Sequence, residues 1–563
     1  MKKIAKFLIV LGMIGQLSSC DYLDIVPDER AQESDTWKTE GAVRGYLYSC
    51  YGYLPANRTF GNSYWLAEEL TAVTKELFTT FKYGYYSPVS LGFTSNTWST
   101  IWNGIHQCYM FQESLKQVSN EYVTDEMKKQ YLAESNFLIA YYHFLSMRSY
   151  GPTMIIRSVI DLETPISGFP ERSSIDEVVA FINEKLDEAM SEGGLPTTWS
   201  GKDYGRATRL AALALNSRVY LYAASPLYNG NTEMYADFRS PLDGRQLIAQ
   251  EKSQAKWEIS ATQTKYAIDE VEKAKFHLYH DADAGEPSDA KPGLPNKAQR
   301  RLRYTNIDNQ TGNNPEIIWA DTRNDDYYGI QRRCPPRQTP GGKFAGISMT
   351  NCPTLQTIEA FYTKNGLPIN KDKTFDYDER YEYISAPENC DGNNYEDLVK
   401  YANFTPSSDK VMRLCTDREP RFYAWTTYHN GYFEFGKYNN EEISADPAKR
   451  AIRIHLLRDD PHGRGNRTDQ EYSISGFGNK KGVVPSAEWN VIEYPFPLFR
   501  LAELYLNYAE ALVELDRLSE AKVYLDKVRE RAGIPSVDEA WDKYSTNPGY
   551  QNTQEGMREI VRA

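Results

Sequence analysis

The chain has 563 residues, with 64 Lys and Arg against 77 Asp and Glu, and its formal net charge is −13. This acidic balance argues against a nucleic-acid-binding protein, which needs a basic surface to meet phosphate groups. The length allows several domains or one large domain with insertions.

Residues 1–19 have the organisation of an export signal. Three lysines precede an apolar run over residues 7–17, which is shorter than the about 20 residues of a membrane-spanning helix. The segment ends in Leu-Ser-Ser followed by Cys20, and this resembles the lipobox of a bacterial lipoprotein. The resemblance implies a signal peptide over residues 1–19, acylation of Cys20 and a polar tether over residues 20–35. An ordinary signal peptide with an incidental cysteine is the alternative.

Apolar residues recur at intervals of three and four in several segments, and this period predicts amphipathic helices. Ser174 followed by Glu177 is a capping-box pattern. In a frame that begins at Ala502, large and small residues occupy the positions of a tetratricopeptide repeat. We expect consecutive helices to pair into a degenerate helical-repeat scaffold. The predicted helices are residues 127–150, 174–190, 207–224, 254–274, 501–515 and 519–532.

Residues 281–495 differ from the rest of the chain because they are rich in Asn, Asp, Gly, Pro and Tyr. Residues 317–320 and 422–425 have the composition of short strands. A structureless segment of this length inside a domain is unusual, so we predict one irregular ligand-binding insertion with small β elements. The predicted helical regions on either side are residues 36–280 and 496–563.

Three stretches resemble a known family. They are residues 205–230, which include Gly-Arg-Ala-Thr and Ser-Pro-Leu-Tyr-Asn-Gly, residues 359–369, which include Thr-Lys-Asn-Gly-Leu-Pro, and residues 497–533. With the lipobox, they are similar to the SusD/RagB outer-membrane lipoproteins of Bacteroidetes. Because similar proteins continue beyond the helix expected from Gln554, the C-terminal region is expected to be truncated.

The resemblance implies a mainly α fold, built on a degenerate tetratricopeptide-like scaffold with the large irregular insertion. It implies a lipid-anchored, surface-exposed protein of the outer membrane that binds glycans and is not an enzyme. The implied partner is a SusC-type TonB-dependent transporter, and no cofactor is implied. A peptide- or glycoprotein-binding member of the family is the main alternative, since helical-repeat scaffolds hold peptides.

Two tyrosine-rich clusters are the candidate glycan-binding residues. A sugar presents flat C–H faces ringed by hydroxyls, so its site needs aromatic rings with polar groups at their rim. One cluster lies between glycine and proline, and the other follows residues 317–320. Packing of these tyrosines against the scaffold is the alternative. The candidates are Tyr83, Tyr85, Tyr86, Arg323, Asp325, Tyr327, Tyr328 and Arg332.

The second cluster is also basic, which favours an acidic glycan such as a uronic-acid polymer. Pairing of these cations with local acids, Asp325 and Asp326 among them, is the alternative. The basic residues are Arg323, Arg332, Arg333, Arg337 and Lys343.

Catalytic and metal-binding motifs are missing from the sequence. It contains no HExxH, GxSxG or P-loop pattern, and the pair His277 and His280 has no third ligand at metal-site spacing. We therefore expect no catalytic residue and no metal site, and a surface glycoside hydrolase is the least favoured function. No CxxC occurs, and the loop between Cys334 and Cys352 permits a disulfide.

Overall fold

Helices form most of the regular secondary structure in this computed structural model. The predicted signal peptide, Cys20 and the tether lie outside the described residues. The structure describes residues 37–55, 69–71, 94–161, 163–280, 282–283, 297–308, 314–324, 329–336, 349–385, 410–434, 451–460, 462–465, 472–484 and 491–563.

The helices in chain order are α1 Glu40–Tyr51, α2 Thr94–Leu115, α3 Asp125–Tyr150, α4 Ile175–Ala189, α5 Arg209–Ala224, α6 Thr232–Tyr235, α7 Gln254–Lys273, α8 Lys297–Ile307, α9 Ile330–Arg333, α10 Leu355–Ala360, α11 Pro420–Trp425, α12 Leu501–Glu514, α13 Leu518–Ala532, α14 Val537–Tyr544 and α15 Gln554–Arg562. All six helices predicted from periodicity are present.

Local signals in the sequence set the helix ends. The Ser174 hydroxyl accepts the Glu177 N–H, and the Glu177 carboxylate accepts the Ser174 N–H at 2.7 Å, so the predicted capping box begins α4. Thr208 caps α5 in the same way through the Ala211 N–H. At the C-terminal end of α13, Gly533 adopts the left-handed conformation with φ 76°. These caps satisfy backbone groups that the first and last turns leave unpaired.

The predicted pairing of helices is confirmed. α3 packs on α4, α5 on α7 and α12 on α13. Alanines along α5, such as Ala211, Ala212 and Ala214, are buried and let neighbouring helices approach closely. The resulting scaffold is mainly α, as predicted for the family. No helix within the described ranges is both long and apolar enough to span a membrane.

Six short two-stranded antiparallel sheets accompany the helices in the described part of the chain. They are β2 Thr153–Met154 with β3 Arg172–Ser173, β4 Ile317–Asp321 with β12 Phe496–Arg500, β1 Leu70–Thr71 with β5 Cys352–Pro353, β6 Tyr383–Ser385 with β7 Lys410–Met412, β8 Thr426–Tyr428 with β11 Phe477–Asn479, and β9 Tyr432–Glu434 with β10 Ala451–Arg453. Five of them lie wholly or partly in the predicted insertion.

One predicted strand is wrong. Residues 422–425 belong to α11, because Pro420 occupies the first helical turn, where its fixed φ suits a helix and its missing N–H is not needed. The strand β8 begins directly afterwards, at Thr426. The other predicted strand is confirmed as β4, all of whose residues are buried.

The irregular region is joined to the scaffold through the main core. Ile318 and Trp319 from β4 and Phe499 from β12 belong to the same buried cluster as the scaffold helices. The Trp319 ring stacks on Phe499 at 5.9 Å between centroids. Separate small clusters, one around Phe422 and Tyr428, pack the insertion itself.

The disulfide permitted between Cys334 and Cys352 is absent, since both are free buried thiols. Cys334 Sγ accepts an N–H from Asn479 at 3.2 Å, and Cys352 Sγ donates to the Thr71 carbonyl at 3.4 Å. The two thiols therefore serve different local contacts.

Candidate ligand-binding cavity

A cavity of about 510 Å³ lies where the irregular region meets the C-terminal helical region. Residues of the strands β1, β5, β8, β11 and β12 and of the helices α8, α9, α10 and α11 line its wall, together with residues of the connecting segments. We call it the Trp425 cavity. A concave space of this size with apolar walls and a few polar groups is the usual form of a small-ligand site.

Aromatic rings line the Trp425 cavity: Phe361, Trp425, Tyr494 and Phe496. The Trp425 Nε1–H donates to the Leu302 carbonyl at 3.3 Å, and its ring lies 6.5 Å from that of Phe361. The Tyr494 hydroxyl donates to the carbonyl of Gly482, which follows Lys481. These hydrogen bonds hold the rings in place, so the wall offers preformed apolar surface to a ligand.

Polar and charged groups interrupt the aromatic wall. Thr357, Thr426 and Asn479 offer hydroxyl and amide groups. Asn306 is only 7% exposed, and its Nδ2 has no acceptor among the described residues. The charged groups are Glu69, Lys481 and Arg500.

Lys481 is the most unusual charged group of the cavity. Lys481 is exposed, but desolvation by the protein atoms around its ammonium, with the nearby cations Arg500 and Arg421, lowers its pKa to about 8. The ammonium lies 4.6 Å from the centre of the Trp425 ring. A strongly shifted pKa in a cleft marks a candidate functional residue.

Of the predicted glycan-binding residues, the structure describes Arg323 and Arg332. Arg323 donates to the carboxylate of Asp321 and to the carbonyls of Gly52, Leu54 and Pro55. These contacts use all five N–H groups of its guanidinium, so only the face of that group is open to a ligand. Arg332 lies in α9, whose first residue, Ile330, lines the Trp425 cavity.

The other six candidates, Tyr83, Tyr85, Tyr86, Asp325, Tyr327 and Tyr328, lie outside the described residues. Both clusters are nevertheless joined along the chain to the wall of the Trp425 cavity. The first cluster follows β1, where Leu70 lines the cavity, and Tyr328 precedes Ile330 by two residues. Their roles as glycan contacts stay predictions.

Sequence reasoning missed Trp425, Phe361 and Lys481. The aromatic-rich run over residues 422–428 was a visible signal for an aromatic site, but it resembled a buried strand. For Lys481 no signal exists in the sequence, because its position in the cavity wall is a property of the folded structure.

One group of described residues has the donor set of a metal site. Atoms of His429, His455 and Asp460 lie within 4.8 Å of one another. However, His429 Nδ1 accepts the Leu456 N–H at 3.1 Å and Asp460 accepts the Leu457 N–H at 2.9 Å. These groups already hold the backbone turn in place, and a cation bound at His429 Nδ1 would have to break the first of these hydrogen bonds.

Two family models match the chain. The SusD family model matches residues 315–563, and a model described as "Starch-binding associating with outer membrane" matches residues 21–221. A comparison with curated proteins found no match.

Solved structures share the fold. The protein BT4246 has a TM-score of 0.76 and 28% sequence identity, over 93% of this chain and 86% of its own. A SusD-like protein from Bacteroides fragilis, BF3747, has a TM-score of 0.64 and 20% identity, over 95% of this chain and 84% of its own. Surface glycan-binding protein A from Bacteroides fluxus has a TM-score of 0.51 and 17% identity, over 93% and 86% of the two chains.

The two family matches cover the N-terminal and C-terminal parts of the chain, and the fold is that of the SusD-like structures. The chain belongs to the SusD/RagB family.

Proposed function

We propose that this protein binds glycans at the bacterial cell surface and assists their import. The observation that carries the proposal is the Trp425 cavity, with aromatic walls, polar groups and chain connections to both tyrosine clusters. The family model described as starch-binding and associated with the outer membrane supports both the ligand class and the location.

The chemistry of the cavity suits a sugar. Aromatic rings such as Phe361 and Phe496 pack against the C–H faces of a pyranose, while Thr357 and Asn479 can hydrogen-bond its hydroxyls. None of these groups is a paired acid and base of the kind that hydrolyses a glycosidic bond. Glu69 is the carboxylate among the described lining residues. The arrangement therefore favours binding over catalysis.

The test is a glycan panel measured by isothermal titration calorimetry. Alanine at both Tyr327 and Tyr328 is expected to abolish the binding shown by the wild type without lowering its unfolding temperature. The matched control is alanine at Tyr381 and Tyr383, which are 43% and 41% exposed and do not line the Trp425 cavity. Wild-type affinity in the first variant would reject the assignment of this cluster to the site.

The same panel separates the alternative functions. Release of shorter sugars from any glycan would establish a glycoside hydrolase. Binding of peptides in place of glycans would establish the peptide-binding alternative.

The proposed mechanism includes the lipid anchor and a SusC-type transporter. A polar tether from acylated Cys20 would keep the glycan-binding body beside the transporter while letting it move, and several acyl chains hold a protein at a membrane durably. Cys20→Ala is expected to impair glycan uptake by cells while the purified variant keeps its glycan affinity. Normal uptake by cells that carry the variant would contradict this role of the anchor.

A further inference from the structure

Lys481 lines a ligand-sized cavity and has no acidic partner among the residues that the structure describes. Its two cationic neighbours are both paired, Arg500 with Glu316 at 2.6 Å and Arg421 with Glu419 at 2.6 Å. Within the described residues, Lys481 makes no ion pair, and its ammonium contacts the face of Trp425.

The charges around Lys481 leave the site positive. Arg500 from β12 and Arg421 from α11 repel its ammonium, and among the described residues Glu69, which precedes β1, attracts it. Glu69 has the smallest effect of the three on Lys481, and burial has the largest effect of all. With a pKa of about 8 the ammonium is mostly charged at pH 7, so the cavity holds a positive charge that a bound anion would compensate.

We propose that the Trp425 cavity selects glycans that carry an anionic substituent, a carboxylate or a sulfate, which pairs with Lys481. The inference rests on the proposed glycan-binding function and names its ligand class. The anion would accept charge-assisted hydrogen bonds from the ammonium, and these are stronger than hydrogen bonds between neutral groups. The aromatic walls would contact the sugar ring that carries the substituent.

Lys481 is proposed to bind the anionic group of the glycan, whereas the sequence composition had suggested the basic cluster that begins at Arg323. Arg323, the first cation of the basic cluster, already donates all of its N–H groups to protein oxygens. Lys481 has the opposite surroundings, since it lines the cavity and has no carboxylate within ion-pair distance in the described structure.

The test compares acidic glycans with neutral counterparts of the same backbone. The probes are oligogalacturonate, which carries only carboxylates, and carrageenan oligosaccharides, which carry only sulfates, each beside its carboxyl-reduced or desulfated form. Wild-type protein is expected to bind at least one acidic probe about tenfold or more tightly than its counterpart. Lys481→Met is expected to remove that difference.

Two further variants make the test specific. Lys364→Met removes an exposed lysine that pairs with Asp417 away from the cavity, and it should change neither affinity. Lys481→Arg keeps a positive charge well above pH 8. Affinity of the wild type for the acidic probe should fall about tenfold or more between pH 7 and 9.5 as Lys481 loses its proton, while that of Lys481→Arg should stay nearly constant.

The outcomes separate this inference from the proposed function. Equal affinity for acidic and neutral probes, or an unchanged acid preference in Lys481→Met, overturns the inference and leaves glycan binding intact. Failure of every glycan, acidic or neutral, to bind overturns the proposed function and this inference together.

Discussion

Glu316 and Lys481 are both charged groups, but their surroundings differ, since Glu316 is buried and Lys481 is an exposed residue in the wall of the Trp425 cavity. Glu316 is fully buried, and its carboxylate contacts Arg500 and Arg531 and accepts the Tyr279 N–H. Lys481 has an aromatic ring in place of an acid. A buried charge with all its partners holds a structure together, whereas a charge in a cavity without a counterion indicates a ligand.

Two arginines of the stretches that resemble the family are paired charges of the kind that stabilises the fold. Arg206, in the stretch that resembles the family, donates to the buried carboxylate of Glu134. Arg529, in another stretch, donates to the carbonyl of Gly366, whose φ of 72° suits glycine. Such contacts stabilise the shared fold, while other residues of the same stretches, Phe361 and Arg500, line the Trp425 cavity.

The burial of His143 predicts how the stability of the protein depends on pH. It is fully buried in α3, where Nδ1 bonds the Ile139 carbonyl and Nε2 accepts the Ile156 N–H, and burial lowers its pKa to about 4. An unfolded histidine titrates near 6.5. The stability from keeping His143 neutral is thus complete above about pH 6.5 and is lost as pH falls towards 4, by at most about 3 kcal/mol.

Urea unfolding at pH 7 and pH 4.5 measures this effect. His143→Gln should be less stable than the wild type at pH 7, because it disturbs the core, but its stability should fall less between the two pH values. The other six histidines are common to both proteins, so their contributions cancel. Equal losses of stability would show that His143 is not the titrating group.

At the scale of the element, the helix that begins at Ser174 shows how a local signal sets structure. Ser174→Ala removes the hydroxyl that accepts the Glu177 N–H and is expected to lower the free energy of unfolding by about 1 kcal/mol. The control is Ser200→Ala, because Ser200 precedes a short 3-10 helix without capping it by its side chain. Similar effects of the two substitutions in urea unfolding would argue against the cap.

The helix α11 shows where a local pattern misleads. Residues 422–425 are aromatic and apolar, which suits a strand, but Pro420 and the tertiary contacts of Phe422 with Phe361 and Tyr428 favour a helical turn. Six helices were predictable, since the apolar periodicity of each helix lies within its own segment of the chain. The short sheets pair segments that are distant in the chain, such as β4 and β12, and periodicity contains no information about such partners.

The site was hard to predict from the sequence because its residues are also distant from one another in the chain. The Trp425 cavity combines Leu70, Ile330, Trp425, Lys481 and Arg500, which come from five separate segments. The tyrosine clusters were visible because each is contiguous. Single residues from distant segments come together in the cavity only when the chain folds.

For the whole molecule, Glu316 joins the irregular region to the C-terminal helices. It precedes β4, and its partners are Arg500 in β12 and Arg531 in α13. Arg531 is only 8% exposed, and burial lowers its pKa to about 10. Glu316→Gln would leave this cation buried without a counterion and is expected to lower the free energy of unfolding by about 3–5 kcal/mol.

The control for this prediction is Glu113→Gln, which breaks an exposed pair with Lys116 at 2.8 Å. Exposed pairs contribute less than about 1 kcal/mol. Chemical unfolding of both variants measures the difference. A Glu316→Gln protein as stable as Glu113→Gln would show that this buried pair does not hold the two regions together.

The central claim is that a glycan occupies the Trp425 cavity, and hydrogen–deuterium exchange with and without a bound glycan from the panel tests it most directly. Bound glycan should slow exchange in residues 480–484 and 491–497, which contribute Lys481, Gly482, Tyr494 and Phe496 to the wall. Slower exchange confined to α12 and α13, with these segments unchanged, would place the ligand on the helical repeats and contradict the claim.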